Sequence, residues 1–227
     1  MEGNKITLSP LDMEAISLHD SNYINNKGAK LYDPETYLQS VEYYRLGAAM
    51  GNDQSISNLG YCYLYGRGIE PNTSLAIAYF KIAAMRSNVD AAYKLGDIYS
   101  REKWGVEDKE RSLYYYSLAA ELLMGDEWHN PTAIKYFDGL NRYPSLCYAL
   151  GREMANGGSL NTDLKLAYQY LLRAEIGYKK AIEDGDDFYK ASYEGVIKLL
   201  DDPQFDLIKM EEAFFGDDDE KEDYPEN

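Results

Sequence analysis

Histidine, cysteine and tryptophan each occur only twice in 227 residues, and their scarcity removes several chemistries at once. His19 and His129 are too few for a multi-histidine metal site, and Cys62 and Cys147 form no Cys-x-x-Cys pair. The Gly-x-x-x-x-Gly-Lys-Ser/Thr phosphate loop and the Gly-x-Ser-x-Gly nucleophile elbow are both missing. No run of about 18 apolar residues is present, which excludes a transmembrane helix. The polar start Met1-Glu2-Gly3-Asn4-Lys5 has no apolar signal core, so the expected setting is cytoplasmic. Neither an enzyme nor a bound metal or cofactor is expected.

Positive charge is also short. Lysine and arginine number 23 against 39 acids, a net charge of −16. The imbalance is concentrated: 17 acids and four lysines fall between residues 181 and 227, leaving the first 180 residues near neutral. Direct binding to nucleic acid requires the opposite sign. A basic protein partner fits the charge, as does plain solubility. Residues 216–227 read as a disordered, solvated acidic tail. Cys62 and Cys147 read as buried reduced thiols, against a single disulfide or a reactive thiol.

What the chain does have is a repeated step from an aromatic to a small residue one helical turn later. Tyr43-Tyr44 precedes Gly47-Ala48, Tyr79-Phe80 precedes Ala83-Ala84, and Tyr115-Tyr116 precedes Ala119-Ala120. Tyr170 precedes Ala174 in a variant with Arg173 before the alanine. Ala48, Ala84 and Ala120 stand 36 residues apart, and Ala174 follows after 54. Leu59-Gly60, Leu95-Gly96 and Leu150-Gly151 keep the same time. A fixed period of this length marks an array of helical hairpins, in which a first helix carries Leu-Gly and a second the aromatic step. Glycine costs about 1 kcal/mol in a helix interior, so its recurrence points to close helix contact. The 23 tyrosines read mainly as seam packing rather than ligand stacking.

Ser9-Pro10 opens a helix expected to run to Tyr23, and Asp33-Pro34 opens one ending near Met50. Complete hairpins follow over 54–85 and 90–124, turning at Gly66-Arg67-Gly68 and near Trp104-Gly105, with Asp108 as a cap. Nineteen extra residues then delay the rhythm between about 124 and 143. This insertion holds Trp128, His129, Tyr136 and Phe137, with a short helix predicted over 131–138 after the Asn130-Pro131 cap. Its rings either meet a partner or fold back over the neighbouring helices. A last hairpin starts at Pro144, turns at Gly157-Gly158-Ser159 and returns from Asp163 to Glu183. Helices over 187–200 and 205–214 follow, the latter amphipathic and expected to cap the stack. His129 beside Asp126 and Glu127 reads as a surface loop rather than a metal site or base. Asp184–Asp187 reads as a solvated turn rather than a calcium loop. Asn72-Thr73-Ser74 reads as a helix cap rather than a glycosylation acceptor.

The units resemble Sel-one-like repeats, relatives of the tetratricopeptide repeat. The clearest match runs through Leu59-Gly60, Tyr63, Gly66-Arg67-Gly68-Ile69, Ala76, Tyr79-Phe80 and Ala83-Ala84. The next unit matches at Ala91-Ala92, Leu95-Gly96, Tyr99, Gly105-Val106, Tyr115-Tyr116 and Ala119-Ala120. The unit ending at Ala48 supplies only the second half, and the one ending at Ala174 is degenerate. The resemblance implies an all-α, right-handed α-solenoid of helix-turn-helix repeats, a tetratricopeptide-like superhelix spanning 9–215 as one domain. It implies an adaptor or scaffold that binds another protein on its concave face, with a bacterial setting and a monomeric state expected. In such stacks the first helices line that face. Asn58, Tyr61, Lys94, Asp97 and Arg152 flank Leu-Gly at matched offsets and are the expected contacts, with Trp128 from the insertion as a second site. The alternative is an acidic inhibitor or immunity protein that neutralises a basic toxin or a nucleic-acid-acting enzyme, suggested by the charged C-terminal region.

Overall fold

The computed structural model describes residues 6–157 and 160–215, so the tail reading for 216–227 lies outside them. Among the described residues there are twelve α-helices and no strand. The chain divides into two compact units, Met1–Leu122 and Leu123–Asn227. The division falls where the 36-residue rhythm stops.

In the first unit the helices are α1 (Pro10–Ser17), α2 (Ser21–Lys30), α3 (Tyr37–Ala49), α4 (Asp53–Tyr65), α5 (Thr73–Ala84), α6 (Val89–Tyr99) and α7 (Lys109–Met124). Most starts are fixed by a side-chain cap. Asn52, Asn72 and Asn88 each accept the backbone N–H three residues on, at 2.8, 2.9 and 2.8 Å. Asp108 does the same for Arg111 at 2.9 Å. Such caps satisfy N–H groups that the helix leaves open.

Two expected helices change. The segment from Pro10 to Tyr23 is not continuous, because His19 takes a left-handed φ of 55° and Asp20 recaps the chain as α2. The helix after Asp33-Pro34 begins only at Tyr37. Asp33 folds into a local turn by accepting the Glu35 N–H at 3.1 Å, and the Thr36 hydroxyl donates back to the Leu31 carbonyl at 2.7 Å.

In the first unit helices adjacent in the chain pack on one another, α4 with α5 and α2 with α3 most extensively. A Cβ on Gly60 would lie 2.7 Å from the Phe80 ring, and one on Gly96 would overlap the Tyr116 ring. The Leu-Gly glycines therefore seat the aromatic of the facing helix. The tyrosine seams beside them are stacked: Tyr63 on Tyr79 at 5.4 Å and Tyr99 on Tyr115 at 5.8 Å between centroids. Cys62 and Cys147 are free and fully buried, and burial pushes both thiols up, Cys62 to about 11.

The second unit holds α8 (Pro131–Tyr136), α9 (Pro144–Asn156), α10 (Leu164–Glu183), α11 (Lys190–Leu200) and α12 (Asp206–Phe215). α10 is the central element and touches α8, α9, α11 and α12. Its buried row Leu166, Ala167, Tyr170, Leu171, Ala174 and Tyr178 has helical spacing.

Candidate functional site

On the first helices of the first unit, Asn58 and Lys94 lie two residues before the contact glycine, and Tyr61 and Asp97 one after it. The structure brings Tyr61, Lys94 and Asp97 into one cluster. The Lys94 ammonium sits 5.6 Å from the Tyr61 ring centroid and 5.5 Å from that of Tyr93, and donates to Asp97 Oδ2 at 3.0 Å. Asp97 Oδ1 accepts from the Tyr116 hydroxyl at 2.8 Å and has Arg101 at 3.6 Å. Tyr61 stands edge-on to Phe80, with centroids 5.0 Å apart. The matched offsets thus join neighbouring hairpins: a ring on α4 holds a cation on α6.

Charge states in the cluster follow from this packing. Burial alone would lower the Lys94 ammonium, but Asp97 and Tyr61 outweigh it and hold the lysine above its ordinary value. Burial raises the phenols of Tyr61 and Tyr116, the latter with help from the Asp97 charge. At neutral pH the lysine is therefore charged and both phenols keep their protons. Asp97 is 6% exposed, so its carboxylate faces inward and orients Lys94.

Asn58 lies one turn before this cluster. Its Nδ2 donates to Asn25 Oδ1 on α2 at 3.1 Å, repeating the link between adjacent hairpins. Sequence reasoning missed what continues the cluster toward the loops. Tyr65 stacks on Tyr61 at 6.3 Å, Arg67 lies 5.0 Å over Tyr65 and 5.2 Å over Tyr32, and Trp104 meets Tyr65 edge-on at 5.8 Å. The Tyr61/Tyr65 spacing of four was a visible signal for this strip; the Arg67 contact was hidden within a loop read only as a turn.

Arg152 and Trp128 belong to the second unit. Arg152 is exposed, its guanidinium 5.4 Å from the Tyr148 ring centroid. Trp128 is half-buried on a 3-10 turn, and its carbonyl accepts from the Tyr170 hydroxyl at 2.7 Å. The insertion folds back on α10 in part. Ile134 and Leu140 are fully buried, whereas Tyr136 is 58% exposed.

Arg173 explains why the last repeat departs from the pattern. It takes the place of the first alanine of the Ala-Ala step, and it is 6% exposed. Its Nε donates to the Ile134 carbonyl at 2.8 Å, and its Nη1 reaches Asp138 at 2.8 Å and Asn141 at 3.3 Å. The residue that spoils the repeat therefore clamps the insertion.

The Sel1 repeat model matches residues 27–52, 54–88, 89–122 and 144–175. The chain belongs to the Sel1 repeat family. The unmatched gap from 123 to 143 is the insertion, and the helices before residue 27 and after 175 lie outside the repeats. Among solved structures, the Sel1 repeat protein of Oxalobacter formigenes is 19% identical, with a TM-score of 0.53 over 79% of this chain and 77% of that one. The protective antigen c5321 of uropathogenic Escherichia coli, which displays an SLR fold, is 21% identical with a TM-score of 0.48, over 79% of this chain and 44% of that one. No curated protein matches the sequence. The Sel1 chain is thus an all-α helical-repeat protein of the α-solenoid class. Sel1 repeats are in general protein–protein interaction modules. Among the described residues no cluster of three metal-ligating side chains occurs, and no helix is long and apolar enough to cross a membrane.

Proposed function

We propose that this Sel1 protein is a non-enzymatic adaptor whose protein partner docks on the face formed by the first helices, the concave side in stacks of this kind. The observation that carries the reading is the aromatic–cation strip of the first unit. Tyr32, Tyr61, Tyr65, Arg67, Lys94 and Trp104 are mutually packed and each at least partly open to solvent. Tyrosine, tryptophan and arginine dominate the energetics of protein interfaces. Side chains already held in place lose little freedom on binding. Asn58 extends this face, and Arg152 and Trp128 are separate contacts on the second unit. Asp97 acts indirectly, by fixing Lys94.

A substitution pair tests it. Tyr65→Ala with Arg67→Ala removes the open part of the strip and leaves Tyr61 and the core intact. Binding to a partner captured from the native lysate by the parent protein is expected to weaken at least tenfold, about 1.4 kcal/mol or more. Unchanged affinity for a folded variant refutes the site.

The uneven charge supports a second reading, an acidic inhibitor of a basic toxin or nucleic-acid enzyme in the cytoplasm. That reading requires association to slow steeply with added salt. A rate constant that stays flat with salt excludes it and leaves the adaptor reading in place.

A further inference from the structure

α12 packs through one side only. Phe205, just before it, is fully buried and Ile208 is 8% exposed. Glu212 accepts from Lys135 at 2.7 Å and from Gln169 on α10 at 3.1 Å, and Glu211 pairs with Lys165 at 2.7 Å. The outer side is apolar. Leu207, Met210 and Phe214 are 74%, 56% and 75% exposed. At the helical repeat they fall within an arc of about 60°. One face of α12 therefore packs against its neighbours in the second unit, while the other presents an apolar stripe to solvent.

The charges around this stripe are mainly acidic, with Lys209 3.7 Å from Asp206 and Lys165 2.7 Å from Glu211 as the cations among them. Asp206 and Glu211, both exposed, border it on its two sides. From residue 201 to 215 there are five acids and one lysine. An apolar patch with a polar rim marks an interaction surface, and here the rim selects the occupant.

We infer that the Leu207–Met210–Phe214 stripe docks an amphipathic helix of a partner protein, apolar on one face and flanked by lysine or arginine. Two helices can pack their apolar ridges together, and flanking charges of opposite sign then set the pairing. A second copy of this chain would set Asp206 and Glu211 against like charges. Anionic lipid headgroups meet the same repulsion. This site lies on the second unit and is independent of the aromatic–cation strip.

The test uses the full chain and a labelled Leu/Lys peptide about 18 residues long, with leucines at helical spacing, read by fluorescence anisotropy at physiological salt. Comparators are a scrambled peptide of equal composition and a Leu/Glu peptide of the same pattern. The Leu/Lys peptide is expected to bind, and the scrambled one to bind at least about tenfold more weakly. Leu207→Ser/Met210→Ser/Phe214→Ser is expected to lose at least about tenfold in affinity with its circular dichroism unchanged, since the replaced side chains are exposed. Asp206→Lys/Glu211→Lys is expected to prefer the Leu/Glu peptide. Equal binding by the triple variant or by the scrambled peptide overturns the proposal, as does an unreversed preference in the charge-swapped chain. A dimer in sedimentation that the triple variant abolishes, or stripe-dependent binding to vesicles without peptide binding, also overturns it.

Discussion

Lys27 stands immediately before Gly28, where the other hairpins carry leucine before their contact glycine, and Asp12 accounts for it. Asp12 is wholly buried, with Lys27 Nζ at 2.6 Å, the Ser9 N–H and hydroxyl at 2.7 and 2.8 Å, and the Tyr43 hydroxyl at 3.0 Å. Burial alone would raise its carboxyl, but Lys27, Ser9 and Tyr43 together hold it well below the usual range. The hydrogen bond to Asp12 raises Lys27 in turn, against its own desolvation. A depressed carboxyl adds stability that is complete above its unfolded value of about 3.9 and is lost as pH falls from there through the folded value. Lys27→Met strands the buried charge and is expected to cost about 3 kcal/mol at neutral pH. At pH 3, where the unpaired carboxyl is protonated, the gap to the parent should shrink. Urea midpoints at the two pH values check this, and an equal gap at both refutes it.

At the scale of elements, the insertion and the last repeat depend on each other through Arg173. Arg173→Ala leaves the buried Ile134 carbonyl with only the Phe137 N–H at 3.3 Å, removes the bonds to Asp138 and Asn141, and is expected to cost about 2 kcal/mol. Arg173→Lys should recover only part, because an ammonium cannot reproduce the guanidinium fork that bonds Ile134, Asp138 and Asn141 together. Urea denaturation of both variants decides it, and full recovery by lysine refutes the clamp. The hairpins from α4 to α7 were legible because Leu-Gly and the aromatic step recur at fixed spacing, and each serves one packing contact. The hairpin of α2 and α3 was half hidden. Gly28 meets the Tyr44 ring as Gly60 meets Phe80, and the Ser40 hydroxyl donates to the Gly28 carbonyl as that of Ser112 does to Gly96. Its leucine, however, gave way to Lys27 to serve Asp12. The break at His19 was not legible either, since a single left-handed residue carries no periodic signal. The matched offsets led to Tyr61, Lys94 and Asp97, but spacing along one helix says nothing of a loop arginine such as Arg67 that reaches a ring on another.

At the scale of the whole molecule, a net charge of −16 and an isoelectric point near 4.5 mean that the folded chain repels itself at neutral pH. Exposed ion pairs such as Arg86–Asp53 and Lys165–Glu211 contribute little against this. Raising ionic strength from about 0.01 M to 0.15 M shortens the screening length from about 30 to 8 Å. The melting temperature is expected to rise over that range, measured by differential scanning calorimetry at pH 7. A fall would mean that local pairs outweigh the overall repulsion.

The two units also differ in when they can close during synthesis. Hairpins of the first unit meet neighbours close in sequence, so each gains its partner within one repeat of emerging from the ribosome. In the second unit α8 and α9 pack chiefly on α10, which ends only at Glu183. Until that helix has been translated, α8 and α9 lack the element they pack on most, and the side chains that face it stay uncovered. The nascent chain therefore passes through an interval in which its apolar segments are open to chaperones and to misassembly. Its length is set by the distance from Pro131 to Glu183.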